Sequence, residues 1–384
     1  MGYKDISEII YSEERERYMS NVNAKEKWEI VKYSRKQIER AGKTIIANKA
    51  NKEEKQEALN ILNNWRAAHA YPLQIIATNL RTRNKKALVV QRLKRLDSIT
   101  SKLKRYDEMS LYRMQDLGGC RVIVDTIDEV YEAVNKYKGS RIRHIKKHEK
   151  DYIKEPKPSG YRGYHLVYQF QSDKNDIYNK NMLIEIQFRT KLQHTWATAV
   201  EMMGIYTKSA LKASMGDAEI LKFFSMVSSI FAMIEDTMEV PGTPVSPINL
   251  IKEIKDIDRR YNIVSRLSAL NEAIELVSSK GKEYTNKIGY FIMELNYKKK
   301  TLKVTPFKQR DIELATNVYD RIEKEAGENI DAVLVLASSY EALKLAYPNY
   351  FTDVSEFVEK MSKILSDDFL NALIANVAKR VENQ

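Results

Sequence analysis

Cysteine is almost absent: Cys120 stands alone in 384 residues, which excludes an internal disulfide framework and a cysteine-built structural zinc site. The five histidines, His69, His144, His148, His165 and His194, show no H-E-x-x-H or comparable ligand spacing. Glycine and proline, at 13 and 8 residues, are too sparse for a collagen-like or low-complexity chain. The longest apolar run, Ala332–Ala337, is six residues long, against about 20 for a helix that crosses a bilayer. The opening Met1-Gly2-Tyr3-Lys4-Asp5 has neither an apolar signal segment nor a myristoylation pattern, so the expected compartment is the cytoplasm.

What is present is a globular balance, 43% apolar and 30% charged, in enough length for one large domain or two of ordinary size. The net charge of +12 is unevenly placed. Pro241–Gln384 holds 21 basic and 21 acidic residues, whereas the first 240 residues hold 43 and 31 and carry the whole excess. Within them Arg81–Arg105 has ten basic residues and one acid, among them Arg81, Arg83, Lys85 and Lys86. Such density suits nucleic acid, a nucleoside triphosphate or anionic lipid, and equally a solvated helix face.

The first 80 residues read as helix up to Pro72, with apolar residues three and four apart, and are expected to form a lid or flank. From Asp116 the texture changes to short β-rich runs, Cys120–Val124, Ile142–Ile145, Tyr164–Phe170 and Leu183–Phe188, with a helix Ile127–Tyr137 after the first. The spacing predicts an α+β chain, a mixed β-sheet core flanked by helices. Helices follow at Lys191–Glu201 and Ile220–Met238, and Pro241, Gly242, Pro244 and Pro247 mark a boundary. Beyond it a helical connector over 241–281 leads to a small C-terminal α+β module over 282–384. That module is expected to have a hairpin of Tyr290–Tyr297 and Thr301–Pro306, a strand Ala332–Ala337, and helices at Arg310–Ala326, Tyr340–Ala346 and Val354–Val381.

The chemistry concentrates in four places. In Leu183–Thr190 the strand period puts Glu185 and Gln187 on one face and Ile184, Ile186 and Phe188 on the other. Asp116, beside the Gly118-Gly119 pair, is the natural second carboxylate. Two such oxygen ligands at strand ends, completed by phosphate oxygens and water, are how Mg²⁺ is commonly held for phosphoryl transfer; ordinary salt bridges are the other reading. The loop Asp151–His165 joins Lys157, Gly160, Gly163 and several tyrosines, as suits a planar base that carries phosphate, or as suits a loop packed on its own core. If Arg92–Lys102 is helical, Lys94, Ser98 and Lys102 form one row that can grip a triphosphate.

Together these segments resemble the synthetase domain of the RelA/SpoT alarmone synthetases, in order and in spacing. Its R-x-K-x-x-x-S-x-x-x-K helix stands here as Arg92 to Lys102, and its D-[LI]-x-x-x-R strand entry as Asp116-Leu-Gly-Gly-Cys-Arg121. Its D-Y-I-x-x-P-K-x-x-G-Y-x-x-x-H loop stands as Asp151 to His165, and its E-I-Q-x-R-T strand as Glu185-Ile-Gln-Phe-Arg-Thr190. The resemblance implies a nucleotidyltransferase-like fold that moves the β,γ-pyrophosphate of ATP onto a ribose hydroxyl and releases AMP. It implies that Arg92, Lys94, Ser98, Lys102 and Arg121 bind ATP and that Asp116 and Glu185 are catalytic and hold Mg²⁺. Tyr161 would stack on the acceptor, with Lys157, His165 and Gln187 around it.

Two departures modify the expectation. After the strand the chain reads His194-Thr-Trp-Ala-Thr-Ala-Val-Glu201, closer to the small synthetases than to the long forms, and no His/Asp-rich hydrolase segment precedes the synthetase. The C-terminal module ends a helix with Ala346-Tyr-Pro-Asn-Tyr-Phe-Thr-Asp353. Chain length, order and this Y-x-x-Y turn resemble the CapRel family of fused toxin–antitoxins. That likeness implies a toxin that pyrophosphorylates the tRNA 3′ CCA end, autoinhibited through Tyr347 and Tyr350 and released by a phage capsid protein. The basic surface that carries Arg81, Arg83, Lys85 and Lys86 is expected to bind the tRNA backbone. A (p)ppGpp synthetase using GDP or GTP, and an inactive RNA-binding module, are the other readings; intact Asp116, Glu185 and Tyr161 argue against the last.

Overall fold

The structure is a computed structural model, and it describes residues 28–94, 96–207, 217–268, 289–296, 301–308, 330–337 and 354–366, with Val318 and Ile322. In chain order the elements begin with α1 (Arg35–Ile46), α2 (Lys52–Ala68), α3 (Ala70–Arg83), β1 (Leu88–Leu93), α4 (Leu96–Arg105), β2 (Gly118–Val124) and α5 (Ile127–Lys138). They continue with β3 (Ile145–Asp151), β4 (Tyr164–Gln169), β5 (Leu183–Thr190), α6 (Lys191–Thr207), α7 (Ala218–Ile234) and α8 (Pro247–Tyr261). Last come β6 (Gly289–Asn296), β7 (Thr301–Lys308), β8 (Ile330–Ala337) and α9 (Ser355–Ile364). The local sequence explains the helix starts: Ser34 with Gln37, Asn51 with Glu54 and Thr126 with Glu129 form reciprocal capping boxes, and Ser246 caps α8 ahead of Pro247.

Two compact units divide the described residues. The first takes the chain up to Ile75, Leu93–Gly118 and Gln169–Ile184. In it α1 packs on α2 and α4, and Gly42 is required where a Cβ would stand 2.8 Å from Leu111 Cβ. Trp65, wholly buried, stacks on Tyr112 at 5.2 Å, and Arg35 covers the other ring of that pair at 5.3 Å. The second unit takes Ile76–Arg92, Gly119–Tyr168 and the chain from Glu185 onward. It holds nearly all of a five-stranded mixed sheet in the order β1-β2-β5-β4-β3. It also holds a helical core in which α7 is buried almost all round, through Phe223, Phe224, Val227 and Phe231 among others. Phe357, Met361 and Ile364 of α9 belong to that same core. A second sheet, β7-β6-β8, is antiparallel throughout, with Met293 facing Val304 on one side and Val333 on the other.

The expected strands and helices largely stand, with four corrections. The helix does not stop at Pro72, because that residue is third in α3, in the first turn where a missing N–H is not needed. Lys94 is not on a helix: it lies in the turn after β1, so Lys94, Ser98 and Lys102 do not form one helical row. The third core strand runs Ile145–Asp151 rather than Ile142–Ile145; it is a charged, exposed edge strand without the apolar signature of a core strand. β1, at the opposite edge, was hidden inside the basic stretch. Of the expected helix over 310–326 only Val318 and Ile322 are described, both helical, while the helix over 340–346 and Tyr347 and Tyr350 lie outside the described residues.

Candidate active site

In the first unit, Asp116 collects two cations. Lys94 Nζ stands 2.6 Å from Asp116 Oδ2 and Lys102 Nζ 2.8 Å from Oδ1, all three side chains being partly buried. The Lys94 N–H donates to Leu117 O at 2.8 Å, and Arg66 Nε donates to Lys94 O at 2.6 Å, which pins this turn. Ser98 lies on α4, one turn before Lys102.

In the second unit, the period of β5 does what the sequence requires: Ile184, Ile186 and Phe188 are buried while Glu185 and Gln187 reach the polar face. From there a continuous hydrogen-bond chain runs to the Asp151–His165 loop. Gln187 Nε2 donates to Glu185 Oε2 at 2.6 Å, and His165 Nδ1 donates to Glu185 Oε1 at 3.0 Å. That leaves His165 Nε2 to accept the Tyr161 hydroxyl proton. Arg189 donates to the Tyr161 oxygen at 2.6 Å and to Gln187 Oε1 at 2.7 Å, and Arg121 Nε reaches the same oxygen at 3.3 Å. Burial, then the nearby Arg92 and Arg189 cations, push the Arg121 guanidinium down to about 9. Three arginines on neighbouring strands therefore repel one another, with Glu201 offsetting only part of that repulsion at Arg121, an arrangement that favours an incoming anion.

The loop geometry is set by Gly160, whose φ of 88° favours glycine and where a Cβ would meet Trp196 at 2.8 Å. Lys157 Nζ lies 4.3 Å from the Tyr152 ring centre and 5.3 Å from that of Tyr161, and Arg189 covers Tyr161 at 4.9 Å. Arg83, Lys85 and Lys86 are exposed at the end of α3 and in the turn after it, while Arg81 is half-buried and donates to Gln91 Oε1 at 3.2 Å and Val89 O at 3.4 Å, holding β1. Arg189 and Tyr152 carry roles that sequence reasoning left unassigned. Arg189 was legible only as a letter in the E-I-Q-x-R-T run, since nothing in spacing shows it reaching across to Tyr161.

Among the described residues no cluster of three or more His, Cys, Asp or Glu could hold a metal ion by itself. Asp116 and Glu185 each have both oxygens engaged. A single carboxylate with phosphate oxygens and water still suffices for Mg²⁺, so either residue taken by itself fits a metal that arrives on nucleotide phosphates rather than one caged by the protein.

Among curated proteins, the chain is 36% identical over 115 residues to the GTP pyrophosphokinase YjbM of Bacillus subtilis (strain 168), covering 29% of this chain and 52% of that one. It is 35% identical over 112 residues to the GTP pyrophosphokinase YwaC of the same organism, covering 28% and 52%. The chain thus spans about half the length of the curated relatives it matches. Among solved structures it is similar to a GTP pyrophosphokinase family protein from Streptococcus pneumoniae, with 27% identity and a TM-score of 0.38 over 44% of this chain and 86% of that one. It is also similar to the small alarmone synthetase 1 of Bacillus subtilis bound to its product pppGpp, with 24% identity and a TM-score of 0.37 over 45% and 93%. Residues 91–210, which contain the whole hydrogen-bonded cluster around Tyr161, match the model of the region found in RelA / SpoT proteins.

Proposed function

We infer that the chain is an ATP-dependent pyrophosphokinase. The observation that carries this reading is the convergence of Arg92, Arg121 and Arg189 on the polar face of the sheet, beside Glu185 and Tyr161. An acceptor hydroxyl oxygen attacks the β-phosphorus of ATP, the α,β bridging bond breaks, and AMP leaves. Arg92 and Arg121 meet the phosphates, and Lys94, Ser98 and Lys102 do the same once the two lysines release Asp116. Asp116 and Glu185 would hold Mg²⁺, which when bound neutralises charge on the phosphate oxygens. Glu185 takes the hydroxyl proton, oriented by its bonds from His165 and Gln187. Tyr161 stacks on the acceptor base, Lys157 moving from the ring to the acceptor's phosphate.

For the acceptor we infer the 3′ CCA end of tRNA, in a toxin that stops translation. The positive excess of the first 240 residues exceeds what a mononucleotide needs and suits a phosphate backbone, with Arg83, Lys85 and Lys86 as its contacts. The likeness to two GTP pyrophosphokinases favours a second reading, in which GDP or GTP is the acceptor. Restraint by the C-terminal residues through Tyr347 and Tyr350, and release by a phage capsid protein, follow from the resemblance of chain length, order and the Y-x-x-Y turn to the fused toxin–antitoxins. The test is incubation with γ-labelled ATP and either tRNA or guanine nucleotides. Label on tRNA and not on GDP or GTP supports the tRNA reading, and the reverse supports the second. Greater toxicity of Tyr347→Ala/Tyr350→Ala on expression supports the restraint, and unchanged growth contradicts it.

A further inference from the structure

Behind Tyr161 lies a buried ion pair that the pyrophosphokinase reading does not use. Arg162, 2% exposed, donates from one guanidinium nitrogen to Glu235 Oε2 at 2.9 Å and from the other to Thr237 Oγ1 at 2.5 Å. Glu235 accepts twice more, from the Thr190 hydroxyl on Oε1 and from Gln193 Nε2 on Oε2 at 3.2 Å. One carboxylate therefore gathers the residue after Tyr161, the residue after Arg189, and the first turn of α6. Thr190 and Gln193 are themselves a reciprocal cap on α6, each side chain meeting the other's N–H.

The location is costly for a mere fold-holding contact. Glu235 caps the C-terminal end of α7, where the helix dipole disfavours an anion, and a buried ion pair is seldom better for stability than apolar residues of the same volume. Asp236, at φ 49°, bends the chain back so that Thr237 can reach Arg162. What the pair does that an apolar patch would not is fix a register. Tyr161 and Arg189 touch each other at 2.6 Å, and the next residue of each is tied to Glu235. α7 adds two bonds to the same loop, Ser228 Oγ to Gly160 O at 2.6 Å and Ser225 Oγ to Pro158 O at 3.3 Å. Glu235 and Thr237 lie outside the matched residues 91–210.

We propose that Arg162 and Glu235 are positioning residues for the acceptor, setting the Tyr161 ring and the Arg189 guanidinium in register across the loop and β5. This role rests on the reading of Tyr161 as the acceptor platform. Its test is steady-state kinetics of the full chain with ATP and whichever acceptor the wild type labels, for Glu235→Gln and for the double variant Arg162→Met/Glu235→Met, with urea unfolding of each. The expected result is an acceptor KM raised roughly tenfold or more with the ATP KM within about twofold, because an ångström-scale misplacement is enough to lose a reacting geometry. The double variant is expected to keep that defect even with wild-type stability, which a purely structural pair would not, and Arg162→Lys is expected to recover part of it. Should Glu235→Gln not fold, the double variant is judged by the same criteria. An unchanged acceptor KM, or equal rises in both KM values, overturns the proposal. If the wild type labels neither acceptor, the pyrophosphokinase reading itself fails and this role falls with it; if the wild type labels one and the variants match it, only the positioning role fails.

Discussion

Tyr161 shows how much one side chain can be asked to do. Its hydroxyl is held by Arg189 and His165, and its ring is covered by Arg189 and approached by Lys157, so the ring is fixed before any ligand arrives. Stacking of a base on such a platform contributes about 1–3 kcal/mol. Tyr161→Ala is therefore expected to raise the acceptor KM by roughly 10- to 100-fold and the ATP KM little, and a larger loss of ATP would reverse the assignment of the two substrates. His69 poses a different problem. Its Nδ1 donates to Trp65 O at 2.7 Å while burial pushes the imidazole down to about 4 from an ordinary 6.5. A depressed folded-state value stabilises the fold above pH 6.5 and loses that contribution as pH falls towards 4, by about 3 kcal/mol in all. Urea unfolding at pH 7 and pH 4 is expected to show the loss, and His69→Leu to show less of it; equal losses would assign acid sensitivity elsewhere.

At the scale of elements, the basic stretch Arg81–Arg105 is not one surface. It supplies the end of α3, the edge strand β1, the turn at Lys94 and the helix α4, and Arg81 is already engaged in holding β1. Arg83, Lys85 and Lys86 remain exposed. Neutralising these three is expected to flatten the salt dependence of tRNA binding by roughly one unit of log–log slope per lost phosphate contact, measured by titration at several salt concentrations; an unchanged slope returns them to a solvated face. The same stretch shows what the sequence could and could not tell. β2, β4, β5 and α5 were legible because each is an apolar run or stripe of the right period. β1 and β3 were not, because edge strands alternate weakly and carry lysines and arginines that read as loop or helix face. Asp116 and Glu185 could be picked out from their local patterns, but the Asp116 pairing with Lys94 and Lys102, and the reach of Arg189 and Glu235, join residues 14 to 73 positions apart. Such joins are set by topology, which no local period encodes.

At the scale of the molecule, helix α9 and the loop that carries Tyr161 are joined through α7. Phe357 of α9, wholly buried, lies 6.0 Å from Phe224 and 6.1 Å from Phe231 of α7, and α7 also grips the Gly160 carbonyl. Phe357→Ala is expected to cost about 3–5 kcal/mol and to lower the Tm of the whole second unit by calorimetry; an unchanged Tm would make α9 an independent appendage. Above these particulars stands the transfer itself, since a kinase and a pyrophosphokinase could use similar cations but would break different bonds. The most direct measurement follows β-labelled and γ-labelled ATP in parallel, with Asp116→Asn and Glu185→Gln as controls that are expected to fall by roughly 100-fold or more without unfolding. Both labels should reach the acceptor in equal amount, with one AMP formed for each. Transfer of the γ-label alone with ADP left behind, or full activity in both carboxylate variants, would contradict pyrophosphate transfer at this site.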